Sequence, residues 1–250
     1  MREQRFATGR PVRLQCSVTA GTITVDTTDD AEASVALDGP HELVDAMRVE
    51  LVGDRLIVSE PRSSFRELLT GSDRNLDLTV RLPHKSGVAV RSASSDATLD
   101  GTFGDIELQS ASGELRVGGA VEGDVSVKSA SGDVQLPRVR GELDLQTVSG
   151  DLRAASIGGP VTVRAVSGEV RIEALRAGTV SVRSVSGDVV LGIEPGSAVD
   201  IDATSASGRL VSEVALAESP DGDDGPTVVI RASTASGDIR VLRAAQVALG

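Results

Sequence analysis

The tripeptide Ser-Gly-acid returns along this chain at nearly constant intervals, and that recurrence limits the possible folds more than any other feature. It stands at Ser112-Gly113-Glu114, Ser131-Gly132-Asp133, Ser149-Gly150-Asp151, Ser167-Gly168-Glu169, Ser186-Gly187-Asp188 and Ser236-Gly237-Asp238. Variants occupy Ser94-Ser95-Asp96 and Ser207-Gly208-Arg209. From Ser94 to Ser186 the steps are 18, 19, 18, 18 and 19 residues, after which they lengthen to 21 and 29. A period of this size marks a unit that cannot bury its own apolar face and must stack on its neighbours.

Each period holds two alternating apolar pairs, such as Val125/Val127 with Val134/Leu136, Leu143/Leu145 with Leu152/Ala154, and Val161/Val163 with Val170/Ile172. Alternation with period two predicts strands that bury one face. A third apolar residue follows at Val121, Val139, Ile157 and Leu175, just before a second glycine turn at Gly123, Gly141, Gly159 and Gly178. Like positions match at the full period, whereas the two half-periods differ in turn chemistry. Stacking of like on like is therefore expected: an all-β fold, specifically a β-solenoid, single-stranded and parallel β-helix-like, with coils of about 18 residues. The alternative is an antiparallel β-meander or sandwich in which successive strands form hairpins.

The core must be built in shallow rows, because 40% of the 250 residues are hydrophobic yet the chain has three Phe and neither Tyr nor Trp. The formal charge of −12 argues against nucleic acid or an anionic membrane as the main partner. Cys16, the single cysteine, sits in a strand-like setting and reads as structural.

Residues 1–83 lack the repeat but keep alternation, which predicts an N-terminal all-β capping region ahead of a repeat region over 84–250, with irregular coils from about 196. The N-terminal segment is expected to cap one end of the stack and the last coils the other. Pro61 to Leu69 reads as a loop or short helical turn, and Glu218 to Pro226 as a polar surface insertion. The N-terminal sequence contains no apolar run of signal-peptide or membrane-span length, so a cytoplasmic location without membrane insertion is expected; the cell surface, by an unrecognised route, is the alternative.

No catalytic or cofactor-binding residue stands out. His41 and His84 lie outside the repeat in Pro-His contexts that read as turns. The candidate metal ligands are the acids of the recurrent corner, Glu114, Asp133, Asp151, Glu169 and Asp188, which stacking would align about one strand spacing apart. One acid per coil is sparse beside calcium-binding solenoids, and solvated turn acids are the plainer reading. The outward Arg153, Arg164, Arg171 and Arg183 read as residues alternating with acids on solvent faces.

The serial units typified by Ser131-Gly132-Asp133-Val134-Gln135-Leu136, together with the strands before them, resemble a bacterial family of β-strand repeat proteins of unknown function, labelled putative adhesins. The resemblance spans nearly the whole chain and implies a β-strand repeat fold, exposure outside the cell and no defined catalytic or binding residues. Three functions follow as expectations. The first is a non-catalytic interaction scaffold, without cofactor, that binds a protein partner or another copy of itself. The second is a β-helical carbohydrate-active enzyme or binder, which requires a cluster of unlike polar residues breaking the repeat symmetry on one face. The third is a cation-binding solenoid using the acidic column.

Overall fold

The computed structural model describes residues 1–61, 75–214 and 226–244. Segments 62–69 and 218–225, for which a loop and an insertion are expected, lie outside the described residues. The chain forms two compact units, Met1–Glu122 and Gly123–Gly250. The expected boundary after residue 83 falls within the first unit, at a turn between two of its strands.

In the first unit the strands are β1 (Arg2–Ala7), β2 (Arg13–Thr28), β3 (Glu32–Asp38), β4 (Arg48–Val52), β5 (Arg55–Ser59), β6 (Asn75–Pro83), β7 (Ser86–Asp100), β8 (Thr102–Ser112), β9 (Leu115–Val117) and β10 (Ala120–Val121), with the helix α1 (His41–Ala46) between β3 and β4. The long β2 pairs in parallel with β7 along most of its length. On its other side, the first half of β2 pairs with β5 and the second half with β6, both in parallel. Antiparallel strands then take over: β4 pairs with β5, β3 with β6, and β1 with β3. The alternation of β2 and β6 puts Leu14, Cys16, Ile23, Val25, Leu76, Leu78 and Val80 into the core, each at most 2% exposed. Burial of each large aliphatic side chain contributes about 1.5–3 kcal/mol.

A histidine turn is expected at residue 41; instead His41 opens the one-and-a-half-turn α1. Its last carbonyls are held from outside the helix, because the Arg2 guanidinium donates to Val44 O at 3.2 Å and to Met47 O at 2.9 Å. A cation on a helix C-terminus satisfies orphan acceptors and opposes the negative end of the helix dipole.

In the second unit each coil contributes two strands, and all pairings are parallel. The first stack contains β11 (Val125–Ser131), β13 (Leu143–Ser149), β15 (Val161–Ser167) and β17 (Gly178–Ser186); the second contains β12 (Val134–Val139), β14 (Leu152–Ile157), β16 (Val170–Leu175) and β18 (Val189–Ile193). The register matches the repeat: Val125 lies beside Leu143, Leu143 beside Val161, and Val161 beside Val180. The parallel solenoid is thus the fold of the repeat, and among the described residues hairpins between half-periods do not occur in it. Val139, Ile157 and Leu175, the third apolar position, are all at most 1% exposed.

Glycine is required at the recurrent corner by the stacking itself. At Gly168 the backbone takes φ of +115°, and a Cβ there would lie 2.2 Å from Gly150 O of the adjacent coil. Gly150, with φ of +128°, meets Gly132 O in the same way. Strands at ~4.8 Å spacing leave no room for a side chain in that direction.

The last coils do not stack in chain order. Strands β19 (Ala198–Ser207) and β20 (Leu210–Ser212) precede β21 (Thr227–Ser236) and β22 (Ile239–Arg243) in the sequence. In space β21 lies between β17 and β19, and β22 lies between β18 and β20. The lengthened steps of 21 and 29 residues are where the chain goes out to the far coil and returns to fill the gap.

Candidate functional site

The corner acids form a ladder of hydrogen bonds along the stack. Asp133 Oδ1 accepts the backbone N–H of Asp151 at 2.8 Å, and Asp151 Oδ1 accepts that of Glu169 at 2.8 Å. Farther along, Asp188 Oδ1 accepts the Asp238 N–H at 2.8 Å, and Asp238 Oδ1 accepts the Arg209 N–H at 2.9 Å. Within the first unit, Asp96 does the same for Glu114. Aspartate has the right reach to satisfy the next coil's donor, so the carboxylate is part of the stacking mechanism. The second corner repeats the device where Asp124 Oδ1 accepts the Glu142 N–H at 2.8 Å.

One backbone N–H and one guanidinium contact hold Asp238, a member of the column, more strongly ionised. The Arg209 backbone N–H, followed by the Arg240 guanidinium 3.2 Å away, lowers the Asp238 carboxyl below the ordinary aspartate value. Of the candidate ligands Glu114, Asp133, Asp151, Glu169 and Asp188, the ladder links Asp133, Asp151 and Glu169 in succession, while Glu114 follows Asp96 and Asp188 precedes Asp238. No group of three His, Cys, Asp or Glu able to hold a metal occurs among the described residues.

The basic residues divide between two faces. Arg153 pairs with Asp151 at 3.9 Å and Arg171 with Glu169 at 3.5 Å, each on the acid two positions earlier, while Arg116 pairs with Glu114 in the same pattern. These exposed pairs are worth about 0.2–1 kcal/mol each. Arg164, on the face formed by the first stack, reaches Asp144 at 3.9 Å. Arg183 lies beside Arg164 in register, yet neither Arg183 nor Arg231 belongs to an ion pair among the described residues. The expected alternation with acids holds for Arg153 and Arg171 and fails at Arg183.

Arg183 and Arg231 belong to a local grid made by three neighbouring strands. Across β17, β21 and β19, Ser181, Arg231 and Asp202 share one row, and Arg183, Ser233 and Thr204 share the next. These six residues line an open groove of about 290 Å³. Residue-by-residue reading could not assemble it, since it exists only because β21 is interposed between β17 and β19.

The remaining candidates are structural. His84 Nδ1 lies 2.7 Å from Thr27 Oγ1, which in turn accepts the Thr102 N–H at 2.8 Å, so the imidazole braces a turn. Cys16 is buried, and burial pushes its thiol up to about 12, so it stays protonated and unreactive at neutral pH. Among the described residues no helix is long and apolar enough to cross a membrane.

Comparison with solved structures places this fold among known ones. The chain is similar to a "putative adhesin" of Bacteroides fragilis NCTC 9343, with 14% identity, 96% of each chain covered and a TM-score of 0.60. It is also similar to a "putative adhesin" of Parabacteroides distasonis ATCC 8503, with 12% identity, 96% of each chain covered and a TM-score of 0.48. The chain has no match among curated proteins. The family model described as Toastrack DUF4097 matches residues 13–242, almost the full repeat and the strands before it, and the chain belongs to that family.

Proposed function

We propose that this protein is a non-catalytic interaction scaffold, whose stacked coils present their outward side chains to a protein partner or to a second copy. The observation that carries this reading is the use made of the recurrent carboxylates. Asp133, Asp151, Asp188 and Asp238 each satisfy a backbone N–H of the neighbouring coil, so they serve the stack rather than a shared reaction centre. A fold shared with a protein described as a putative adhesin supports the same reading.

The test is chemical cross-linking in the source cell with the full-length chain, followed by sedimentation of the purified protein alone and with the captured partner. A defined complex that weakens when Arg164 of β15 and Lys128 of β11, two members of one outward column, are reversed to Glu is the expected result for a protein partner. Growth in size with concentration is expected for self-association. Turnover of a polysaccharide or other substrate by the purified chain, abolished by one substitution without loss of folding, would overturn the reading.

A further inference from the structure

We infer that the ridge made by Val148, Val166 and Val185 is a docking surface for a second copy of this chain, the two copies lying side by side with their coils advancing in the same direction. The inference deepens the scaffold reading by naming one partner and the face it uses, and it rests on that reading. Seven large hydrophobic residues are exposed among the described residues, and three of them are these valines, each 47–54% exposed. They occupy successive coils, one residue past Thr147, Ala165 and Ser184, which lie in register on β13, β15 and β17. The exposed Ala130 of β11 begins the column, and Ala235 of β21 and Ala206 of β19 continue it. Six coils at ~4.8 Å spacing make an outward apolar line about 24 Å long.

A column of each sign flanks the ridge. Two residues before it, on the same outward face, stand Lys128, Gln146, Arg164 and Arg183. Three residues beyond it, around the glycine corner, stand Asp133, Asp151, Glu169 and Asp188. Lys128 and Arg183 on one side, and Asp133 and Asp188 on the other, enter no ion pair among the described residues, and Arg164 meets Asp144 only at 3.9 Å. Such a pattern is its own complement. A twofold axis parallel to the stack sets valine against valine and brings the acidic column of each copy opposite the basic column of the other. Lys128 then faces Asp133 of the second copy, Arg164 faces Glu169, and Arg183 faces Asp188. A twofold axis across the stack would instead set cation against cation.

Spacing favours a second copy over other occupants. A helix laid along the ridge repeats every ~5.4 Å and drifts about 2 Å out of step over three coils, and an extended strand presents a side chain to one face every ~6.7 Å. A second copy keeps step at every coil. The charge of −12 on each copy is screened beyond about 8–10 Å, whereas the facing columns meet at contact. With the flanking columns the ridge covers on the order of 400 Å² per copy, about half of what a stable dimer uses, so the association is weak.

The experiment is sedimentation equilibrium of the full chain up to about 1 mM, the range that so small an interface requires. A monomer–dimer equilibrium is expected. Val166→Lys should weaken it at least tenfold, and if that variant disturbs folding, the isosteric Val166→Thr should still weaken it several-fold. Arg164→Glu should also weaken it several-fold, and mixing Arg164→Glu with Glu169→Lys should restore association. Arg138→Glu makes the same change of charge on the second stack and should leave the equilibrium as it was. Val148→Cys and Val185→Cys, treated with a short bismaleimide, report the symmetry, because the native Cys16 is buried. The axis parallel to the stack cross-links each variant to itself. A monomer at every concentration, a dimer indifferent to Val166→Lys, no rescue by the charge swap, or cross-linking only between the two mixed Cys variants would each overturn the site. Such a failure leaves the scaffold reading to its captured partner, and substrate turnover would overturn that reading without touching the dimer.

Discussion

The two units solve the same edge problem in different ways. In the first, the parallel strands β2 and β6 are flanked by antiparallel β5/β4 and β3/β1, and the outermost β1 carries Arg2, Glu3 and Arg5. In the second, the outermost coil among the described residues, that of β19 and β20, pairs in parallel like the coils before it, and Leu210 is 52% and Val211 41% exposed, while Ile172 within the stack is fully buried. The difference shows that a repeat specifies stacking but contains no instruction to stop. Closure needs a change of strand direction and charges on the edge, which only the non-repeating sequence supplies.

The sharpest way to break this contrast is at a stacked corner. Gly168→Ala should cost about 4 kcal/mol, because it combines a left-handed backbone with overlap on Gly150 O; Gly53→Ala, at φ of +66° with open space around it, should cost about 1 kcal/mol. Urea denaturation of both variants measures the difference. Next in size, Ile172→Ala should lose about 3 kcal/mol, whereas Leu210→Ala should lose under about 1 kcal/mol. Hydrogen exchange would then show β19 and β20 opening well before β15 and β16.

A third test probes the covered edge of the first unit. Arg2→Ala removes both donors to the α1 carbonyls and should cost about 1–2 kcal/mol, visible as faster exchange from Val44 to Met47. The smallest effect concerns Asp238, which binds the outer coil through the Arg209 N–H. Its folded-state value is depressed, so its contribution is present above the unfolded aspartate value and is lost as pH falls through the lower folded one. Asp238→Asn should flatten the fall of the urea midpoint on acidification below about pH 4, without changing the midpoint trend near neutrality.

Much of the fold could be read from residues alone, for a physical reason: inward Val, Leu and Ile, and corner Gly, are dictated by contacts that recur in every coil. Coil order could not, because Val199/Ile201/Ala203 and Val228/Ile230/Ala232 offer the same alternation to β17. Two signals were nevertheless present. β19 carries Asp200 and Asp202 outward where β21 carries Val229 and Arg231, the composition of an edge beside that of an interior strand. The corner after β19 reads Ser-Gly-Arg, and Arg209, which donates its N–H to Asp238, is the last member of the column among the described residues and carries no carboxylate. The grid on β17, β21 and β19 was hidden with the order that creates it.

That order has a consequence for biogenesis. A ribosome releases residues 198–212 before residues 227–243, at about 5–20 residues per second, so the outer coil exists for a second or more before the one that belongs beneath it. During that interval β17 can accept β19 through the same alternation it later offers β21. Where that early pairing forms, completion of the second unit requires it to yield to a late arrival, and insertion of residues 227–243 is then expected to be a slow step of maturation. Truncation just after β20 would therefore leave a chain that has chosen the wrong neighbour rather than one merely shortened.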